Sequence, residues 1–274
     1  MKPATALPTV CLVAAALWVA PSGAEDRPAP SSDWSVSLGI ISFSAPGYLG
    51  DDDARTALVP SLDVSYRERV FLSSTEGLGA NLVREGGWRA GPILAYHPGR
   101  AEDGSQPYFV GDDDTDDLRG LGDVDPTAEL GAFVEYTAGP LVSSVTLRRG
   151  LDGHGGLVGE AAVRWTGGAS VAARPFAYVI GPELVVGDKD YIGAFFDVDA
   201  AQSAASGLAA HDADGGIVSY GLRGSIVVPL GGGVSLIGFG AYDVLGEEPG
   251  DSSLVSARGS DEQGAIGASV SVSF

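Results

Sequence analysis

The sequence contains few cysteines, few methionines and few basic residues. Its single cysteine is Cys11, and 16 lysines and arginines stand against 36 aspartates and glutamates, which gives a formal net charge of −20. A chain with one cysteine cannot depend on disulfide bonds, which excludes the small cross-linked secreted folds. The negative charge argues against a nucleic-acid partner, because phosphate groups would be repelled.

Long apolar runs are missing from most of the chain. After residue 24 no segment has 18 consecutive apolar residues, so we predict no transmembrane helix. Lys2, an apolar run at 10–20 and the small residues at 22–24 predict a cleaved signal peptide at residues 1–24, which would carry Cys11 away. We expect a short N-terminal segment at 25–32 and, because no linker divides the rest, one domain at 33–274.

This domain alternates between apolar and small or polar residues. At its C-terminal end the apolar positions are Ile266, Ala268, Val270, Val272 and Phe274. Alternation with a period of two predicts β-strands that have one apolar face. Comparable runs between turn signals predict twelve strands, at residues 33–43, 55–66, 69–83, 87–97, 127–138, 140–150, 156–167, 170–186, 190–199, 216–229, 232–243 and 264–274.

The strand number and the turns indicate a membrane barrel. Twelve is even, and short turns such as Arg67-Glu68 roughly alternate with long polar connections at 98–126, 199–215 and 244–263. We therefore predict an all-β fold, a closed antiparallel transmembrane β-barrel surrounded by outer-membrane lipid in a Gram-negative bacterium. The alternative is a secreted β-sandwich or propeller, but the glycine-rich polar faces favour the barrel.

Aromatic residues near the predicted strand ends support this orientation, because such rings lie at membrane interfaces. They are Trp34, Tyr66, Trp88, Tyr96, Tyr136, Trp165, Tyr191 and Phe274. A free sheet edge in lipid would leave backbone groups unsatisfied, so the last strand should close against the first. Phe274 also resembles the aromatic C-terminal residue by which outer-membrane barrels are recognised during assembly.

Residues with catalytic or metal-binding chemistry form no clear constellation. Asp112, Asp114 and Asp116 have the first, third and fifth spacing of a calcium loop, but Asp117 replaces the required glycine and Asp123 the final glutamate. We interpret the loop at residues 101–118 as a solvated acidic loop, with weak binding of a divalent cation as the alternative. The histidines His97, His154 and His211 lie near strand ends or loops, and no nucleophile elbow accompanies them. We therefore predict no catalytic residues, no cofactor and no metal site.

Several charged residues fall on the polar faces of predicted strands. We expect them to fill the lumen as ion pairs, since charges inside a modest barrel need partners. These residues are Asp63, Glu129, Glu135, Arg148, Glu160, Arg164 and Arg223.

Five segments resemble the MipA/OmpV family, the MltA-interacting outer-membrane proteins: residues 46–66, 71–83, 91–100, 118–133 and 202–217. The most specific motifs are GLGDVD at 120–125 and SAASGL at 203–208. The aspartate run at 112–117 and His211 depart from the family pattern. We expect the glycines of the GLGDVD motif to adopt unusual backbone angles, and Asp123 and Asp125 to cap free amides. The rival interpretation makes these two aspartates a metal or substrate site.

The resemblance implies a noncatalytic outer-membrane protein. Its implied role is a scaffold that connects a murein lytic transglycosylase with a penicillin-binding peptidoglycan synthase. A passive pore or solute channel and an adhesin-like surface protein remain alternatives, and an outer-membrane hydrolase is a distant one. Fold-level likeness does not choose among them.

Overall fold

The structure is a computed structural model that describes residues 33–106, 108–110 and 115–274. The predicted signal peptide at 1–24 and the segment at 25–32 lie outside the described residues. Among the described residues, no helix is long and apolar enough to cross a membrane.

Antiparallel strands form one sheet that closes on itself. The strands are β1 (Trp34–Pro46), β2 (Ala54–Tyr66), β3 (Val70–Ser73), β4 (Gly77–Ala80), β5 (Val83–Glu85), β6 (Trp88–His97), β7 (Thr127–Ala138), β8 (Leu141–Gly150), β9 (Leu157–Val171), β10 (Arg174–Gly187), β11 (Gly216–Gly231), β12 (Val234–Leu245) and β13 (Glu262–Ser273). β1 pairs with both β2 and β13, and β4 pairs with β6. Because β4 and β5 lie end to end against β6, the wall is a closed barrel of twelve strands.

The twelve-strand barrel confirms the predicted architecture, but two of the predicted strands were wrong. The segment 69–83 is a hairpin of β3 and β4 rather than one strand. Its turn ends at Gly77, which has φ +99° and where an added Cβ atom would clash with the Leu94 carbonyl oxygen. The segment 190–199 is mostly the helix α1 (Lys189–Phe196), which Asp188 caps by accepting a hydrogen bond from the Tyr191 amide at 2.9 Å. The two errors cancel in the strand count.

The last strand closes the barrel as predicted. Ser37 to Ser44 of β1 pair with residues 266–273 of β13, and the Phe274 amide donates to the Val36 carbonyl at 2.9 Å. Ile266, Val270 and Phe274 are exposed on the outer face, where they can meet lipid.

Aromatic pairs mark the end of the barrel that holds both termini. The tilted rings of Trp34 and Tyr66 have centroids 4.7 Å apart, and those of Trp88 and Tyr136 have centroids 4.5 Å apart. Exposed Tyr220 and Tyr242 lie toward the opposite end. Tyr191, which we expected at a membrane interface, is instead buried in α1, because a helix has replaced the predicted strand.

The two ends of the barrel carry different connections. At the end with the termini the turns are tight, as at Arg67–Glu68 and Ala172–Ala173, where all four residues have positive φ. At the opposite end longer loops carry the helices α1, α2 (Ala200–Ser206), α3 (Glu247–Gly250) and α4 (Ser253–Arg258). Short turns are periplasmic and long loops are extracellular in such barrels, which sets the orientation.

The wall is irregular between β2 and β6. The β3–β4 hairpin ends part of the way up, and above it residues 108–110 of the long loop continue the wall. The Leu58 amide donates to the Tyr108 carbonyl at 2.9 Å, and the Val110 amide donates to the Thr56 carbonyl at 2.8 Å. Pro60 lies further along the same edge and has no amide to satisfy. This edge therefore suits a position without a neighbouring strand.

Candidate functional site

The extracellular loops fold into a compact cap over the barrel. The cap comprises the described parts of residues 98–126 together with 188–215 and 246–261. Its apolar core has two clusters, one formed around α1 by Ile192, Phe196, Val218 and Leu245, and another formed by Tyr48, Leu118, Leu121, Val198, Leu208 and Leu254. The long connections were predicted to be polar loops, and the helices within them were missed.

The two most specific sequence motifs, GLGDVD and SAASGL, contact each other inside the cap. Gly120 has φ +86°, and a Cβ atom there would lie 2.6 Å from the Ser206 amide nitrogen. Gln202 donates from Nε2 to the Leu121 carbonyl at 2.6 Å. A capping box at Asp199 begins α2, and Gly207 ends it with φ +78°. The glycines thus allow loop and helix to approach closely.

The GLGDVD motif stabilises the long loop, and the structure confirms part of its predicted role. Gly120 and Gly122 both have positive φ, and Asp123 accepts a hydrogen bond from the Glu102 amide at 2.7 Å. The Asp125 side chain, which is exposed, forms no such bond among the described residues. The capping role is therefore confirmed for Asp123 and not found for Asp125.

Two groups of ion pairs between neighbouring strands follow the inner wall of the barrel from β7 to β12, and together we call them the ionic belt. Its members are Glu129, Arg148, Glu160, Arg164, Glu183, Arg223 and Asp243. The prediction of lumen ion pairs is thus confirmed in this belt for five of the seven residues, Glu129, Arg148, Glu160, Arg164 and Arg223. Glu183 and Asp243 were not singled out from the sequence, although they lie on the same polar face of their strands.

Arginines connect the carboxylates of the ionic belt. Arg148 lies between Glu129 and Glu160, at 2.7 Å from Nε to Oε2 and 2.5 Å from Nη2 to Oε1. Arg223 reaches Asp243 at 3.1 Å, and its Nε lies 3.0 Å from Glu183 Oε1 without hydrogen-bond geometry. Alternating signs on neighbouring strands compensate the charges that burial would otherwise make costly.

Two other predicted lumen residues lie nearer the periplasmic end. Asp63 accepts a hydrogen bond from the Ser73 hydroxyl at 2.6 Å. Glu135 lies 3.8 Å from Arg89, which also pairs with Glu76 at 3.3 Å. These contacts are separate from the ionic belt, which is the larger group of ion pairs in the described part of the lumen wall.

Two of the three histidines lie together beneath the cap. His154 Nε2 lies 3.0 Å from Glu129 Oε1, and its Nδ1 accepts a hydrogen bond from the Gly156 amide at 3.2 Å. Nε2 must then carry the proton that it donates to Glu129. His97 Nδ1 accepts from the Gly99 amide at 3.0 Å, and the two rings lie 5.3 Å apart. Both side chains therefore organise loop and lumen structure.

His211 lies apart from the other two histidines. It forms a β-bridge with Val198 inside the cap, with amide-to-carbonyl distances of 2.9 and 3.0 Å. The structure does not bring the three histidines into one site.

A cavity of about 130 Å³ lies between the cap and the ionic belt. Its upper wall is largely aromatic and includes Phe43, Phe109, Tyr191 and Phe195, while its floor includes the charged belt residues Arg148, Glu160, Glu183 and Arg223. A second cavity of about 110 Å³ lies on the other side and shares Arg148, Glu160 and Glu183 with the first. Part of the ionic belt therefore lies between two cavities of the lumen.

The acidic segments provide little support for a metal centre. Asp112 and Asp114 of the calcium-like spacing lie outside the described residues. Asp51, Asp52 and Asp53 each place a carboxylate oxygen within 4.8 Å of the others. Asp51, however, already accepts hydrogen bonds from the Gly47 and Asp53 amides and pairs with Arg55 at 3.5 Å. Burial raises its pKa. These contacts give it a structural role in the loop.

Comparison with known proteins gives one family and several distant barrels. A sequence comparison with curated proteins finds no match. Among solved structures, CdiB from Acinetobacter baumannii is 9% identical with a TM-score of 0.32, over 89% of this chain and 60% of CdiB. Neisserial surface protein A is 10% identical, with a TM-score of 0.25, over 89% of this chain and 98% of its own.

An OmpT loop-deletion mutant from Vibrio cholerae is also similar, at 10% identity and a TM-score of 0.34, over 88% of this chain and 98% of that chain. The scores are too low to transfer any property.

The family assignment is much firmer than the structural likenesses. The closed barrel, its apolar outer face and its aromatic end rows are features of proteins of the Gram-negative outer membrane, and this is where the protein resides. The model of the family described as MltA-interacting protein MipA matches residues 38–274, nearly all of the barrel and its cap. The chain therefore belongs to the MipA family.

Proposed function

We propose that this protein is a noncatalytic interaction protein of the outer membrane, which serves as a scaffold for enzymes that remodel and synthesise peptidoglycan. The observation that carries the proposal is family membership, because the family is described by its interaction with MltA. The implied partners are a murein lytic transglycosylase and a penicillin-binding peptidoglycan synthase. Both would meet the barrel from the periplasm.

The periplasmic end offers a surface for such partners. Its tight turns expose Arg67, Arg69, Arg84 and Arg174. Arg67 pairs with Asp33 and Arg84 with Glu68, whereas Arg69 and Arg174 form no salt bridge among the described residues. Unpaired arginines at a rigid turn are favourable contacts for an acidic partner surface.

The ionic belt favours the scaffold function rather than that of an open pore. Its side chains project from the wall between two cavities, and the cap lies over the extracellular end above them. A solute that passed through the barrel would have to move along these charged side chains. A passive channel remains the second candidate, because there is space on both sides of the ionic belt.

Affinity purification from intact envelopes after cross-linking tests the scaffold. We expect murein enzymes to co-purify with the full chain and to be reduced by a combined Arg69→Glu and Arg174→Glu substitution. The matched control is Arg119→Glu, which reverses an exposed arginine in the extracellular cap. Equal recovery of murein enzymes from both variants would exclude this surface, and their absence from the unmodified protein would exclude the scaffold.

Conductance in planar bilayers tests the channel. The scaffold proposal predicts no steady conductance from the unmodified barrel. A steady current that changes when Arg148→Met removes a belt charge would favour the channel instead.

A further inference from the structure

The cavity beneath the cap has the features of a ligand site that the scaffold role does not use. It is enclosed by the aromatic side chains of Phe43, Phe109, Tyr191 and Phe195. A volume of about 130 Å³ is close to that of the roughly 150 Å³ protein cavity that accommodates benzene. The space therefore suits a body of about one ring. A polar wall then decides which kind of ring compound it would take.

Three carboxylates and three arginines line this cavity, and the carboxylates are already engaged. Glu129 and Glu160 pair with Arg148, and Glu183 pairs with Arg223. The remaining arginine is Arg100, which lies in the cap beside the cavity. The floor therefore keeps one more carboxylate than arginine, yet none of these three carboxylates forms an ion pair with Arg100.

Arg100 is a buried cation with incomplete hydrogen bonding. Its Nη1 donates to the Phe195 carbonyl, but its Nε has no partner, and it forms no salt bridge within the described part of the chain. Burial lowers its pKa to about 10, while the nearby Tyr48 and the exposed Asp123 act in the opposite direction. A buried guanidinium normally has an anion beside it, because its desolvation is costly.

Tyr48 supplies a second unsatisfied donor to the same wall. Its side chain is buried and lines the cavity, and its hydroxyl has no hydrogen-bond partner among the described residues. Buried polar atoms are nearly always paired, so two unpaired donors on neighbouring cavity residues point to an absent acceptor. A carboxylate could accept from both the guanidinium and the hydroxyl.

We propose that the cavity beneath the cap binds a small aromatic monocarboxylate, with its ring among Phe43, Phe109, Tyr191 and Phe195 and its carboxylate toward Arg100 and Tyr48. Surface charges farther than about 8 Å are screened at physiological ionic strength, so the carboxylates that oppose an anion are the nearby ones, such as Asp51 and Asp117 beside Tyr48, and Arg100 must outweigh them. The ligand class differs from both a protein partner and a solute in transit.

Calorimetric titration of the folded barrel in detergent with sodium benzoate tests the proposal. Benzamide and benzylammonium chloride are the probes of matched size that carry no charge and the opposite charge. We expect benzoate to bind more tightly than either. Benzoate affinity should fall about tenfold or more in Arg100→Gln and by a smaller factor in Tyr48→Phe, since charge-assisted hydrogen bonds are lost.

Control variants separate binding from folding. Arg119→Gln removes an exposed arginine of the same cap and should leave benzoate affinity unchanged. Ala45→Leu should fill the cavity from β1 and abolish binding, whereas Ala128→Leu adds the same bulk to the exposed face of β7 and should not. If Arg100→Gln does not fold, Tyr48→Phe and Ala45→Leu carry the test. Equal affinity for benzoate and benzylammonium, or binding unaffected by Ala45→Leu, would overturn the proposal.

Discussion

Replacing Glu129 by Gln should destabilise the barrel more than the same replacement at a partly exposed lumen carboxylate. Glu129 is fully buried, and each of its two oxygens has its own donor, Arg148 on one side and His154 on the other. Glutamine keeps the shape but has a single acceptor oxygen and one NH₂ group. One of the two donors must then face another donor.

The surroundings offer no simple rearrangement. His154 cannot turn its Nε2 into an acceptor without moving the proton to Nδ1, which already accepts from the Gly156 amide. Arg148 retains Glu160 but loses the charge on its other side. One unsatisfied buried donor costs about 1–3 kcal/mol and the weakened charge-assisted bond about 1 kcal/mol more, so we expect a loss of about 2–4 kcal/mol.

Thermal unfolding in detergent, followed by circular dichroism and by heat-modifiable gel mobility, measures the effect. A loss of this size corresponds to a midpoint about 4–16 °C lower, using the scale of soluble domains of similar length. Glu135→Gln is the matched control, because Glu135 is half-buried and lies 3.8 Å from Arg89, and it should cost less than about 1 kcal/mol. Equal midpoints for the two variants would refute the reasoning.

Three further predictions concern assembly and the cap. Phe274→Asp should lower the amount of folded protein in the outer membrane without changing export, whereas Phe274→Tyr should not; unchanged yield and heat-modifiable mobility of the Asp variant would contradict this. Gly120→Ala should lower the free energy of unfolding more than Gly122→Ala. The positive φ costs each variant about 1–2 kcal/mol, and only Gly120 also lies against α2; equal losses on chemical denaturation would show that this contact is unimportant. Asp123→Asn combined with Asp125→Asn should keep the melting midpoint within a few degrees, since an amide oxygen can still accept from Glu102, and a loss of cation binding on calorimetric titration would instead support the rival metal site.

The wall of the barrel was predictable because its physics is repetitive. Lipid outside and a polar lumen inside impose a period of two on every strand, so β7, β8 and β11 begin and end close to their predicted limits. The same alternation located most of the ionic belt. It did not predict which carboxylate meets which arginine, because that depends on the register between strands that are distant in sequence.

The cap was largely missed for a related reason. Tyr191, Ile192, Phe195 and Phe196 form one face of a helix, but a segment of only eight residues also fits a short strand. Asp188 and Asp199, each at a helix N-cap, were the local signals that could have changed this interpretation. The hairpin of β3 and β4 was hidden in the same way, since its turn interrupts the alternation for only three residues.

The ionic belt contributes to the specificity of the fold as well as to its stability. Each of its ion pairs joins neighbouring strands, from Glu129 on β7 through Glu183 on β10 to Asp243 on β12. Closing a barrel requires every strand to adopt one stagger, yet the small and apolar residues of the wall alone would tolerate several. A shift of one residue would turn a whole strand's charges toward lipid, where a charge near the bilayer midplane costs about 2–4 kcal/mol. The ionic belt therefore penalises wrong registers more strongly than it rewards the right one, and this holds the cavity beneath the cap in one shape.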